Sequence, residues 1–383
     1  MTEIDRFSQG TEEIITATDL SDRLESGRPL NIKLGVDPTS PDLHLGHAVV
    51  LRKLRQFQEA GHQTYLVIGD FTASIGDPAG VNKTRPVLTE AEIRDNMRSY
   101  LDQAGKILEI EKTHVVYNSE WLKTMNLSQF IGYAMQISLT TLIEREDFSN
   151  RLRENQPVGL HELIYPLVQS IDSVHLKADI EIGGWDQRLN LLLARELQRK
   201  FGQPSQVVIL MKPLIGTDGE LKMSNSKNNY IGLSESPNQM FGKLMRLPDS
   251  LIDAYAESHE LDLSHVSSHP RERKAGMAKG IVALYHDPEA ASLAEAAFNK
   301  TFRDKEVTAD LVEAIEFDEK TIGVIEAVTK SSGVSASEAR RLIDQGGIKV
   351  NQKAVTDPNE VIELDTKIIL QVGKHRFFEL IWK

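Results

Sequence analysis

Two short stretches hold most of the reactive side chains of this 383-residue chain. The first, Asp37-Pro38-Thr39-Ser40-Pro41-Asp42-Leu43-His44-Leu45-Gly46-His47, leads from an apolar segment into an amphipathic one. At the start of a helix, unpaired backbone N–H groups and the helix dipole favour a polyphosphate. His44 and His47, at i and i+3, share one face of that first turn and can donate to phosphate oxygens as charge moves onto pyrophosphate. Gly46 leaves room for a base or ribose against the backbone. The second stretch, Lys222-Met223-Ser224-Asn225-Ser226-Lys227-Asn228-Asn229, follows the turn-forming GTDGEL. A loop carrying Lys222 and Lys227 can fold over a triphosphate and stabilise the transition state more than the ground state. Each stretch alone also has a plainer explanation. The first fits an N-capped surface helix, or two ligands of a zinc site whose remaining ligands no nearby cluster supplies. The second fits an exposed polar loop.

The segments around these residues alternate in type. LNIKLGVDP (30–38) reads as a buried strand ended by proline, and Pro41-Asp42 opens an amphipathic helix to about Gly61. TYLVIGD (64–70), THVVYN (113–118) and VVILM (207–211) read as further strands, with helices near 90–104 and 186–201. Alternation of this kind implies a parallel, doubly wound sheet with its site at the C-terminal ends of the strands. Residues 120–165 interrupt it with helical sequence, 235 to about 318 reads as helices, and the tail returns to short helix, Gly-Gly turn and strands. The chain is 40% hydrophobic and 26% charged, with no apolar run near the roughly 20 residues of a membrane span. The start, MTEIDRFSQGTEEIITATDL, lacks a basic and an apolar targeting region, and no cysteine is present, so the cytoplasm is the expected location. Net charge is −12, yet residues 320–383 hold ten Lys/Arg against eight Asp/Glu. A tail of +2 on a body of −14 suits an RNA contact confined to one region, with no DNA or membrane partner.

The two motifs in this order resemble the paired ATP signatures of class I aminoacyl-tRNA synthetases. The spans DPTSPDLHLGHAVVLRKLRQFQEAGH, IGDFTASIGDPAGVNKTRP, YNSEWL and GGWDQRLN are similar to the bacterial tyrosyl-tRNA synthetases, in the branch that reads DLHLGH and ends in an S4-like RNA-binding domain. The S4-like likeness rests on SEARRLIDQGGIKVNQKAV, where a helix presents Arg340 and Arg341. The resemblance implies a Rossmann-like catalytic domain over 1–233 with a helical insertion near 120–165, a helical tRNA-binding domain over 234–319, and an S4-like α+β domain over 320–383. It implies the substrates L-tyrosine, ATP and tRNA(Tyr), Mg²⁺ that arrives with ATP rather than in a protein metal site, and a homodimer. By position, Asp37, Thr39, His44, Gly46, His47, Lys222 and Asn225 would surround ATP, with Lys83 and Arg85 near the leaving phosphates. Gly183, Gly184, Asp186 and Gln187 would meet the adenylate ribose and the amino acid. Asp77, Tyr165 and Gln169 would hold the substrate ammonium, and Asp172 would accept from its phenol. Tyr165, Gln169 and Asp172 are spaced i, i+4, i+7 on an otherwise apolar helix, as side chains facing a polar pocket should be.

The sequence departs from the family pattern in four places. Asn225 replaces the second lysine of KMSKS, and Lys227 stands two places later. Gln169-Ser170-Ile171-Asp172 replaces QAYD, and Trp185 enters the GGxDQ segment. Lys33 stands where one branch has a tyrosine that contacts the substrate hydroxyl, and by that position it would belong to the tyrosine site. The expectation is an enzyme that activates tyrosine and attaches it to tRNA. Its rivals are a catalytically weakened RNA-binding paralogue, for which Asn225 speaks, and a nucleotidyltransferase acting on a free small molecule, which would have little use for the tail.

Overall fold

The computed structural model describes residues 3–77, 89–143, 146–304, 312–364, 368–373 and 376–383. They form two compact units, one of residues 1–234 with 247–273, the other of 235–246 with 274–383. The first unit is built on a six-stranded sheet. Its strands are β1 (Thr11–Ile15), β2 (Asn31–Val36), β3 (Gln63–Ile68), β4 (Thr113–Tyr117), β5 (Ile180–Gly184) and β6 (Val207–Met211), in the order β1-β6-β5-β2-β3-β4. Every neighbouring pair from β6 to β4 is parallel, and β1 lies antiparallel on β6. The run Val207–Met211 is buried along its whole length, as a strand covered on both faces by helices must be. The edge strand TEEII escapes a sequence reading because two glutamates break its apolar run.

The order has a physical consequence for the site. From β2 the chain winds through β3 and β4 on one side and through β5 and β6 on the other. The C-terminal ends of β2 and β5 therefore flank the point where winding reverses, where a crevice opens above the strands. The helix Leu45–Glu59 follows β2 and buries Leu45, Ala48, Val49, Leu51 and Leu54. It starts three residues later than Pro41-Asp42 suggests, because the segment Leu43–Leu45 is held instead by strand-like bonds to Ile231–Leu233. Short helices Ser119–Leu122, Leu127–Ala134, Leu139–Ile143 and Glu146–Arg153 fill the insertion before the long helix Leu160–Leu176. A buried bidentate pair, Arg151 on Glu162 at 2.8 and 2.9 Å, anchors the first turn of that helix.

In the second unit, Phe241 of the helix Pro237–Arg246 meets Phe298 of the helix Pro288–Asp304 with ring centroids 5.4 Å apart. Strands β7 (Glu313–Phe317), β8 (Thr321–Gly323), β9 (Ile348–Val350), β10 (Lys353–Ala354), β11 (Val361–Glu363), β12 (Ile368–Val372) and β13 (Arg376–Trp382) follow. They make a sheet β10-β9-β12-β13-β7 and a pair β11-β8. The helices Val324–Ser332 and Ala336–Asp344 close over them on a core that includes Val328, Ala339, Ile343, Ile348, Leu370 and Phe378. Ser335 caps the second of these helices by accepting from the Glu338 N–H. No helix among the described residues is long and apolar enough to cross a membrane.

Candidate active site

A cavity of about 980 Å³ opens at the switch point and is lined from both motifs. His44 is the N-cap of the helix Leu45–Glu59, one residue outside its first turn. Its Nδ1 accepts from the Gly46 N–H at 3.1 Å, and the His47 Nδ1 accepts from the His44 N–H at 3.3 Å. The rings stack with centroids 3.9 Å apart. Burial first, then the Lys222 charge, lowers His47 to a pKa of about 4, and burial with His47 and Lys222 lowers His44 to about 2. Both rings are thus neutral at pH 7, and since each Nδ1 is an acceptor, the proton of each sits on Nε2. Two neutral Nε2–H donors result. Gly46 serves its neighbour first: a Cβ there would lie 3.0 Å from the His44 ring, so the space anticipated for a nucleotide is in part the histidine's own.

The lysine loop is rooted beside this helix. Leu45 N–H donates to Ile231 O at 3.0 Å and Leu233 N–H to Leu43 O at 2.8 Å. Asn229, buried, accepts from the Ser224 N–H at 2.8 Å and donates to Asp218 at 2.6 Å. Gly216 is required there, since its Cβ would fall 2.3 Å from the Asn229 amide. At the rim, Lys222 pairs with Asp186 at 2.8 Å. Lys227 is exposed at the same rim, and Asn225 bonds to Ser40 Oγ and Asp42 O at 2.6 and 3.0 Å.

Deeper in, three carboxylates face one space. Asp37, at the end of β2, accepts from Thr72 Oγ1 at 2.7 Å and from Tyr165 OH at 2.8 Å. Burial, with Asp77 and Asp172 nearby, pushes its pKa up to about 7. Gly69 is what admits this carboxylate, because a Cβ there would sit 2.0 Å from Asp37 Oδ1. Burial and the Asp37 charge raise the Tyr165 phenol well above its ordinary value, so it stays a donor. Asp77 accepts from Gln187 Nε2 at 2.7 Å. Asn190 then donates to Gln187 at 3.0 Å and to Gln169 at 2.9 Å, which ties both amides to one chain. Asp172, on the floor, accepts from Trp121 Nε1 at 2.8 Å and from Asn118 Nδ2 at 3.3 Å. Burial raises it to about 6, while Lys33, Trp121 and Asn118 hold it down.

Of the anticipated residues, Asp37, Thr39, His44, Gly46, His47, Asp77, Tyr165, Gln169, Asp172, Gly183, Gly184, Asp186, Gln187, Lys222, Asn225 and Lys227 all line this cavity. Lys33 lies behind the wall, where its ammonium meets Glu181 at 2.8 Å, Ser173 Oγ at 2.8 Å and Gln169 O at 3.3 Å. Lys83 and Arg85 fall outside the described residues. Arg340 and Arg341 are exposed on the helix Ala336–Asp344, the latter 2.6 Å from Glu338. Thr72, Asn118, Trp121 and Asn190 went unnoticed as site residues. Asn190 had one signal, its i+3 spacing from Gln187. The others orient a carboxylate only after strands distant in sequence come together. Among the described residues no three His, Cys, Asp or Glu side chains are placed so that they could hold one metal ion.

The family model for class I tRNA synthetases (W and Y) matches residues 25–303, and the S4 domain model matches 328–368. The chain is 45% identical to a tyrosine–tRNA ligase of Moorella thermoacetica, over 97% of this chain and 94% of that one. It is 44% identical to that of Aquifex aeolicus, over 98% and 97%. Among solved structures, tyrosyl-tRNA synthetase from Archaeoglobus fulgidus complexed with L-tyrosine is similar with a TM-score of 0.62 and 25% identity, over 76% of this chain and 98% of that one. A C-terminally truncated mitochondrial tyrosyl-tRNA synthetase of Aspergillus nidulans has a TM-score of 0.65 at 19% identity, covering 78% and 93%, a likeness of fold. A reversed-winding sheet with a histidine-capped helix and a lysine loop at one crevice is thus matched along the whole chain, which belongs to the class I tRNA synthetases of the tryptophan and tyrosine group.

Proposed function

We propose that this chain is a tyrosine–tRNA ligase. It joins the carboxylate of L-tyrosine to the α-phosphate of ATP with release of pyrophosphate, then passes tyrosine to the 3′ end of tRNA(Tyr). One observation carries the reading: a single cavity holds the two neutral imidazole donors, the lysine loop, and a buried carboxylate whose orientation Trp121 and Asn118 impose.

The first step needs no nucleophilic side chain, because an α-carboxylate is already ionised at neutral pH. The oxygen attacks phosphorus as the bond to the bridging oxygen of pyrophosphate breaks. His44 and His47 are suited to donate from Nε2 to the oxygens that gain charge, and Lys222 and Lys227 to neutralise the departing phosphates. Lys222 would exchange Asp186 for phosphate, since both partners are exposed and the pair is correspondingly weak. Asp77, Tyr165 and Gln169 would hold the substrate ammonium, whose charge relieves the mutual repulsion of Asp37, Asp77 and Asp172. Asp172 would accept from the phenol. Asp37, Thr39, Gly46, Gly184, Asp186, Gln187 and Asn225 would face the nucleotide, with Mg²⁺ carried in on it. In the second step a ribose hydroxyl of tRNA attacks the activated carbonyl and AMP leaves.

Three functional parts follow from this reading, the catalytic portion 1–233, a part over 234–319 that is helical up to Asp304 and gives the strand β7 to the tail's sheet, and an RNA-binding tail in which Arg340 and Arg341 would meet phosphates. A second copy of the chain would cover Leu127 and Ile131 of the helix Leu127–Ala134, Met135 at its end and Leu139 at the start of the next helix, which are 75, 47, 78 and 60% exposed. The deciding experiment is ATP–pyrophosphate exchange without tRNA against all twenty amino acids. Tyrosine should drive it, and phenylalanine should do so far more weakly, because it would leave the Asp172 carboxylate unpaired. Exchange with none of them, alongside retained RNA binding, would point to the weakened paralogue.

A further inference from the structure

The apex of the lysine loop is fastened by neutral groups. Asn225 Nδ2 donates to Ser40 Oγ at 2.6 Å and to the carbonyl of Asp42 at 3.0 Å. A backbone carbonyl can only accept, so the amide must present its NH₂ to Asp42, and Oδ1 is left buried with no partner. Ser40 and Asp42 belong to the turn between β2 and the histidine-capped helix, 185 and 183 residues away in sequence. Below the apex, Ser224 Oγ accepts from the Lys227 N–H at 3.3 Å and closes a single tight turn over Asn225–Lys227. None of these bonds involves a charged side chain or calls for a phosphate.

We propose that Asn225 is a positioning residue, which with Ser40 latches the lysine loop onto the strand-to-helix turn and so keeps Lys222 and Lys227 at the cavity rim through protein contacts alone. The proposal rests on the reading of that cavity as an ATP site. A lysine at 225 would bring a charge to the triphosphate; asparagine brings a loop already in place, so less ordering remains for ATP to impose.

Trypsin reads the latch directly, because it cuts after lysine in a loop that opens. In the full chain, Asn225→Ala should raise cleavage after Lys222 and Lys227 by about 3- to 10-fold, the range expected for one or two neutral hydrogen bonds. Asn225→Asp, isosteric but without a donor, should open the loop at least as much. Ser40→Ala, which spares the Asp42 carbonyl, should have a smaller effect, and the Asn225→Ala/Ser40→Ala double variant should not exceed Asn225→Ala, since the two share a bond. Thermal unfolding and cleavage elsewhere should stay as in the wild type, which separates a loosened loop from a misfolded chain. In exchange assays, Asn225→Ala should raise the KM for ATP while leaving the KM for tyrosine in place. Wild-type loop cleavage and ATP KM in both Asn225 variants would overturn the latch. Absence of tyrosine-dependent exchange in the wild type would overturn the ligase reading instead, and the cleavage rates would still decide the latch.

Discussion

His44 and His47 owe their chemistry to backbone geometry. Each Nδ1 is occupied by an N–H of the same helical start, so each ring is delivered neutral with its proton on Nε2. With pKa values of about 2 and 4, neither gains charge above pH 5. The acid limb of the enzyme should therefore belong to carboxylates. Asp172 has its folded pKa raised to about 6, so it is ionised at pH 7 and protonates as pH falls through 6. Tyrosine affinity, followed by titration from pH 8 to 5, should weaken further below about 6, and Asp172→Asn should remove that component while leaving the one near 7 that belongs to Asp37. Lys33 contributes at a distance. Its charge holds Asp172 down, so Lys33→Met should move the limb to higher pH. The same substitution leaves Glu181 buried without its cation, which should cost about 3–5 kcal/mol in urea unfolding, and adding Glu181→Leu should restore most of it. An unmoved limb with full stability would contradict both roles.

Elements were legible where one periodicity dominates. VVILM became β6 and the helix over 90–104 became Glu90–Ala104, because buried runs and 3.6-residue patterns need no tertiary partner to be recognised. The edge strand β1 and the late start of the helix Leu45–Glu59 were not, since each depends on a distant segment, β6 in one case and Ile231–Leu233 in the other. The site divides in the same way. Its motif residues could be read off, whereas Thr72, Asn118 and Trp121 act only through the carboxylates they orient. Gly69 sits at one such junction, just past β3. Gly69→Ala should leave the sheet intact but drive Asp37 and Thr72 apart, raising the KM for tyrosine more than it lowers the thermal midpoint. Equal tyrosine KM in the variant would show that Asp37 can retreat without consequence.

Across the whole molecule, charge is divided by task. Residues 1–319 carry −14 and the tail +2, so attraction to RNA backbone is concentrated in a stretch of sequence that contributes nothing to the cavity lining. Arg340→Ala/Arg341→Ala should leave exchange unchanged and weaken tRNA charging. The slope of binding against salt should fall by about 1–2 if both arginines meet phosphates. Equal charging and equal salt slope would remove these residues from the RNA contact.

The bonds between Leu43–Leu45 and Ile231–Leu233 have one more consequence, for how such a loop can change over generations. Because main-chain groups and the buried Asn229 hold its roots, the tip from Asn225 to Lys227 behaves as an exchangeable cassette. A tip that has asparagine as a latch at 225 and its lysine at 227 leaves those roots untouched, whatever it changes in how Lys222 and Lys227 are held. A synthetase of this build can thus revise the grip on its nucleotide without rebuilding the pocket for its amino acid.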